Sequence, residues 1–271
     1  MIDAHSGTTK EDLMEQRPFV LSGGGARGAA HLGVLRAFRD AGIVPAALSG
    51  TSAGALVGAL IADGRSPEAV MGLLEAEFKR PFLLRRPALI AKRIGTFLGR
   101  NLRHRRFEDL PIPLYVSATN LEQGGQRIFS RGELIPALMA SCAIPLVFPP
   151  VQVEGTWCVD GGLSNNLPVE PFADRRADVV AVHVNPLPPF TPGRQGMLRT
   201  MDRIWHLNFR EMVMRSAQGC GLFVEPGELS RFNMFDVGKV AEMERIGYDR
   251  ARSLLACYQG LSAPATPVHR G

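Results

Sequence analysis

Between Phe19 and Gly64 the chain writes one pattern twice: a short apolar run, a glycine-bearing turn, then a stretch with helical spacing. In "FVLSGGGARGAAHLGVLRAF" an apolar strand passes through Gly23, Gly24, Gly25 and Gly28. A helix succeeds it, with apolar or small residues at 30, 34, 35 and 38 and a stop at Gly42. "IVPAALSG" and then "TSAGALVGALIADG" repeat the unit, and Ser66-Pro67-Glu68 starts a further helix. Strand–helix alternation of this kind predicts an α/β fold, with parallel strands and helices packed on both faces.

The same architecture extends along the chain. "PLYVSATNLE" reads as a strand, and "ELIPALMASCAIP" as a helix halted before Pro145. "VQVEGTWCVDGG" reads as a hairpin turning at Glu154-Gly155, and "ADVVAVHVNP" as a fully buried strand. Residues 197–219 and 239–258 have amphipathic helical spacing, whereas residues 79–108 are basic and broken by prolines, so irregular helices and loops are expected there. Beyond this strand–helix alternation there is no internal sequence repeat. One domain over 18–258 is expected, flanked by flexible tails over 1–17 and 259–271.

Composition narrows the class. The 271 residues are 45% apolar and 21% charged, ordinary for a globular protein long enough to bury a large core. No apolar run is long enough for a transmembrane helix, and the polar first 17 residues lack the apolar stretch of a signal peptide, so a cytoplasmic location is expected. Cys142, Cys158, Cys220 and Cys257 form no CxxC pair and the six histidines show no ligand spacing, so neither disulfides nor metal nor any other cofactor is expected.

Gly23-x-Gly25-x-x-Gly28 matches the glycine fingerprint of a dinucleotide fold, but that fold wants an acid at the end of the second strand to hold the ribose. Leu48, Ser49 and Gly50 stand there instead. The chain then reads Gly50-Thr51-Ser52-Ala53-Gly54, the G-x-S-x-G spacing of a nucleophile elbow, in which a serine sits on a strained strand-to-helix turn. In a doubly wound sheet the glycine-rich turn lies beside that serine. Its unobstructed N–H groups suit the oxyanion of acyl transfer, and Arg27 adds positive potential or holds the loop.

A serine needs a base. Ser52, Asp160 and His183 occur in the chain order of a Ser–Asp–His triad, although "VVAVHVN" places His183 in a strand interior, where packing explains it equally well. His206 falls on a helical core position, while His31, one helical turn past the glycines, suits lining the site and core packing equally. Asp160, in "CVDGG", leaves a strand into a glycine turn, and burial beside a serine would raise its pKa and make it a better base.

"GGGARG", "GTSAG" and "DGG", in that order, resemble the blocks of the patatin-like phospholipases, particularly the compact bacterial members. "ASCAIP" and "DGGLSNNLPVEPF" extend the resemblance, which runs from about Phe19 to Tyr258. It implies a three-layer α/β/α sandwich with a mostly parallel sheet. It also implies a serine–aspartate dyad without histidine, Ser52 the nucleophile and Asp160 its base, with Gly23, Gly24, Gly25, Arg27 and Gly28 forming the oxyanion loop. The implied activity is hydrolysis of (lyso)phospholipid acyl esters through an acyl-enzyme, without calcium. Two alternatives stand beside it: the His183 triad, and a non-catalytic lipid-binding or regulatory protein on the same fold.

The net charge of +5 is unevenly spread. Residues 79–106 hold ten Lys or Arg and no acid, so the rest of the chain is net acidic. Phe82, Leu83, Leu84, Ile90, Phe97 and Leu98 lie among those charges, a mixture suited to an anionic membrane surface. A solvated helical face accounts for it equally. No recognition motif accompanies the charge, so a nucleic-acid partner is not expected.

Overall fold

Phe19, Val20 and Leu21 are all fully buried, yet they belong to two different cores. Phe19 and Leu21 pack with the helices of one face, while Val20 packs with Ala47, Leu167, Phe172 and Ala181 on the other. A strand covered on both sides reads as an unbroken apolar run, which is why this stretch shows no polar alternation.

The computed structural model describes residues 14–78, 87–145, 147–189, 207 and 209–262. Most of both expected tails, residues 79–86 of the basic segment, and residues 197–206 and 208 of an expected helix lie outside the described residues. The chain runs through β1 (Glu15–Leu21), α1 (Ala29–Asp40), β2 (Ile43–Thr51), α2 (Ala53–Ala62), α3 (Pro67–Phe78) and α4 (Pro87–Asn101). It continues through β3 (Leu114–Asn120), β4 (Gln126–Phe129), α5 (Leu134–Ser141), β5 (Val151–Val153), β6 (Thr156–Asp160) and β7 (Val180–Val182). A helical segment over 209–217, β8 (Leu222–Val224) and the long α6 (Val240–Ser262) complete it.

The strands form one eight-stranded sheet in the order β5-β6-β3-β2-β1-β7-β8, with β4 also on β3. β1 pairs in parallel with β2 and β7, β2 with β3, and β7 with β8; the hairpin end is antiparallel. This is the expected α/β architecture, with helices flanking a mostly parallel sheet. The turn at Glu154 and Gly155 has φ of 49° and 80°, the geometry of a two-residue hairpin loop. Over the described part of the basic segment, one continuous fifteen-residue helix, α4, stands where irregular helices and loops are expected; it begins at Pro87, where proline is tolerated in a first turn. Among the described residues, no helix is long and apolar enough to cross a membrane.

β3 brings distant parts of the chain together. β4 occupies one of its edges from Val116 to Thr119, so β2 and β6 must share the other edge end to end. Thr51, the last residue of β2, pairs with Ser117; Asp160, the last of β6, pairs with Ala118. Two residues more than a hundred positions apart are thereby set at adjacent steps of one strand.

Candidate active site

Ser52 is the single residue between β2 and α2, with φ 52° and ψ −121°. A non-glycine residue in that region stores about 1–3 kcal/mol of strain. Small neighbours make the turn possible: a Cβ on Gly54 would come 2.2 Å from the Leu21 carbonyl oxygen, and one on Gly50 would come 2.7 Å from the Ala55 nitrogen. The Ser52 N–H donates to Ser141 Oγ at 2.8 Å, and that hydroxyl donates to the Ser117 carbonyl at 2.6 Å. The strained residue is thus tied to β3 through one side chain. Because the strain belongs to residue 52 itself, Ser52→Gly is expected to melt higher than Ser52→Ala, by about 1 kcal/mol in stability. Thermal denaturation of the two variants checks it.

Asp160 and Ser52 meet. The Ser52 hydroxyl faces the Asp160 carboxylate and acts on it as a hydrogen-bonding group, and the carboxylate accepts from the Gly162 N–H at 2.8 Å. Both residues are 8% exposed. Burial pushes the Asp160 carboxyl up to about 6, with the Gly162 N–H and Ser52 opposing the rise. Burial, reinforced by the neighbouring Asp160, raises the pKa of Cys142, so it stays a neutral thiol.

The glycine loop lies against this pair. A Cβ on Gly23 would fall 3.3 Å from Ser52 Cβ. The loop enters a 3-10 turn over Gly25–Gly28, and its Gly28 packs on Ala53, where an added Cβ would approach to 2.7 Å. The Gly23 N–H is already taken, donating to the carbonyl and the Oδ1 of Asn166 at 3.3 and 3.1 Å. The Ala26 N–H goes to the Met234 carbonyl. Among the described residues, the N–H groups of Gly24 and Gly25 have no hydrogen-bond partner. Arg27 is buried below the loop.

The histidines take other positions. His31 is fully buried beneath the loop and holds the Ser22 carbonyl through Nε2 at 2.8 Å; burial lowers its pKa to about 4. His183 leaves β7 with Nδ1 on Glu225 at 2.9 Å, and Glu225 also accepts from Arg210 at 2.6 Å. Among the described residues, the carboxylate that orients His183 is Glu225, while Asp160 engages Ser52 directly. His206 lies outside the described residues. Three supporting residues carried no individual signal in the sequence: Ser141, Asn166, and Asn185, which donates to the Gly23 carbonyl.

Two cavities open at Ser52. One, of about 230 Å³, is almost wholly apolar and runs along one face of α2, past Ala53, Leu56 and Leu60, to Leu74 and Phe97. Eight residues of helix separate Ser52 from Leu60, so it tracks α2 for about 12 Å. The second, of about 290 Å³, is more polar and holds Asp160, Arg27, His183 and Arg210.

Comparison with known proteins gives a consistent picture. A family model described as patatin-like phospholipase matches residues 19–173. The uncharacterized NTE family protein Rv1063c of Mycobacterium tuberculosis is 36% identical over 177 residues, 61% of this chain and 48% of that protein. The lysophospholipase NTE1 of Kluyveromyces lactis is 31% identical over 268 residues, covering 84% of this chain and 18% of that protein. Among solved structures, VipD from Legionella pneumophila has a TM-score of 0.56 at 15% identity, over 90% of this chain and 67% of that one. The chain therefore spans half or less of the length of these curated relatives.

Proposed function

The chain belongs to the patatin-like phospholipase family, and from that premise we propose that it is a serine esterase acting on acyl esters of phospholipids or lysophospholipids, with Ser52 and Asp160 as its catalytic pair. The observation that carries this reading is the Ser52 hydroxyl set beside a buried carboxylate at the end of β6, the two lining one cavity. Ser52 Oγ attacks the ester carbonyl while Asp160 accepts its proton. The negative charge that develops on the carbonyl oxygen is met by the unpartnered N–H groups of Gly24 and Gly25 and by the N-terminus of α2. Asp160 returns the proton to the departing alcohol, leaving an acyl group on Ser52. Asp160 then takes a proton from water, which attacks the acyl carbon; as the adduct collapses Asp160 returns that proton to Ser52 Oγ, and the fatty acid is released. The apolar cavity along α2 receives the acyl chain.

Support for a lipid substrate comes from that cavity and from the yeast relative, a lysophospholipase. The test is labelling by a fluorophosphonate together with release of fatty acid from a panel of phospholipids and lysophospholipids. Wild type is expected to be labelled at Ser52 and to hydrolyse at least one lipid, and Ser52→Ala to do neither. A chain that folds but is neither labelled nor hydrolytic overturns the esterase reading and favours the non-catalytic alternative.

We further propose that an anionic membrane lies near the site. α4 carries Lys92 and Arg100 from the basic segment, and Phe235, 59% exposed, lines the apolar cavity. Cosedimentation with phosphatidylglycerol vesicles is expected to exceed that with phosphatidylcholine and to fall as salt is raised. Equal binding to both vesicle types would remove the membrane role of the segment.

A further inference from the structure

The sheet order sets the glycine loop between two other strand exits. β1 lies between β2 and β7, so the loop that leaves β1 has Ser52, which follows β2, on one side and Val184-Asn185, which follow β7, on the other. The contact with the second exit is close: a Cβ on Gly24 would come 2.6 Å from Val184 Cγ2 and 3.0 Å from Asn185 Oδ1. On that side the Gly23 carbonyl is held twice. The Asn185 side-chain amide donates to it through Nδ2. The Ser22 hydroxyl donates to it at 3.1 Å and itself accepts from the Val184 N–H at 3.0 Å.

These bonds decide where an N–H points. A trans peptide is planar, with its carbonyl oxygen and the N–H of the next residue on opposite sides of the chain. With the Gly23 carbonyl turned toward the β7 exit, the Gly24 N–H of the same peptide is turned away from it, to the side on which Ser52 stands. Among the described residues that N–H has no partner, and Gly24, Ser52 and Asn185 line one cavity. A peptide between two glycines has no side chain on either flank to oppose its rotation. Rotated, it would present a carbonyl oxygen where the negative charge develops. Donation to the carbonyl also polarises the peptide, which makes its N–H a stronger donor.

We propose that Asn185 is a positioning residue of the esterase: it holds the Gly23–Gly24 peptide with its N–H directed at the oxygen of the reacting carbonyl, and acts on the transition state through that peptide. The inference rests on the esterase reading of Ser52 and deepens it. The ester carbonyl of the bound substrate carries little charge and gains little from the alignment. The tetrahedral adduct on Ser52 carries a negative charge on the same oxygen and gains most. Holding the acyl chain is the task of the apolar cavity, which Asn185 does not line.

Asn185→Ala removes the donor together with most of the side chain, whereas Asn185→Leu removes the donor and keeps the volume. Both are expected to lower kcat for a neutral p-nitrophenyl ester by about thirtyfold with KM unchanged. That is less than the loss of about 10²- to 10³-fold for removing an oxyanion donor outright, because Ser22 still holds the carbonyl. An alkyl trifluoromethyl ketone adds to Ser52 as a tetrahedral anion. Its affinity is expected to fall in each variant by the same factor as kcat/KM, while the fatty alcohol of the same chain binds wild type and variants alike. Circular dichroism confirms folding. A wild-type rate in either variant overturns the assignment, since recovery in Asn185→Leu alone makes the side chain a packing element. Fatty-alcohol affinity lost along with kcat, or ketone affinity that does not follow kcat/KM, overturns it as general damage to the site. A wild type with neither turnover nor fluorophosphonate labelling is a different failure: it removes the esterase reading, and this inference with it.

Discussion

Asp160→Asn is expected to lower kcat for ester hydrolysis by about 10⁴-fold, and Ser52→Ala by at least as much. The amide keeps the size of the carboxylate, and its Oδ1 still accepts the Gly162 N–H that holds the wild-type side chain. It cannot take a proton from Ser52, so the nucleophile is left as an ordinary alcohol. Because the two residues act as one unit, the double variant is expected to be no slower than either single one, whereas independent contributions would multiply. His183→Ala supplies the contrast. Its Nδ1 partner is Glu225, and Asp160 is already occupied by Ser52, so activity on a neutral p-nitrophenyl ester is expected to stay within about tenfold of wild type. A loss as deep as that of Asp160→Asn would restore the histidine triad and remove the dyad. Initial rates on one ester, with circular dichroism to confirm folding, decide between them.

That contrast shows where local sequence stops informing. The elbow at Ser52 was readable because its cause is local: Gly50 and Gly54 leave room for the Leu21 carbonyl and the start of α2, and any such turn needs small residues at those offsets. The hairpin at Glu154-Gly155 was readable for the same reason, since both positions carry positive φ. Asp160 could be singled out by its glycine turn, but its meeting with Ser52 depends on β2 and β6 sharing one edge of β3, a register that no window of sequence contains. The partner of His183 lies 42 residues away, just past a strand of three residues that is too short to show a period. β4, with four residues, escaped notice similarly. The glycine loop was legible as a set of available amides, yet which of them stay available is decided by Asn166 and Met234, distant side chain and distant carbonyl. Proline in the basic segment misled because a proline at a helix start and one in an interior look alike until the helix boundary is known.

Activity and stability are expected to move in opposite directions with pH. Burial lifts the Asp160 carboxyl from 3.8 to about 6, and only its ionised form can accept the Ser52 proton. The rate constant for acylation should therefore rise about tenfold per pH unit below 6 and level off above it, so that pH 4 leaves about one hundredth of the plateau. Folding responds with the other sign. Between about 4 and 6 the native state holds a proton on Asp160 that the unfolded chain has released, so stability attributable to this group is fully present below pH 4 and is lost as pH rises through 6. A shift of about two units corresponds to about 3 kcal/mol. Glu68 works against this trend: its hydrogen bonds from Arg39 hold it at about 2, so its contribution is present above the ordinary carboxylate range and fades as pH falls toward 2. Glu225 behaves alike, since the hydrogen bonds from His183 and Arg210 outweigh its burial and hold it at about 2. A wild-type melting curve alone would mix these effects. The difference between Asp160→Asn and wild type isolates the one group, because Glu68 and Glu225 are common to both proteins. The variant is expected to be the more stable protein at pH 8, by about 3 kcal/mol, and to lose that advantage by pH 4. Denaturant titrations at the two pH values measure it. An advantage that does not change with pH would mean that Asp160 is already ionised throughout, and the carboxylate would then lack the raised basicity that lets it serve a serine without a histidine.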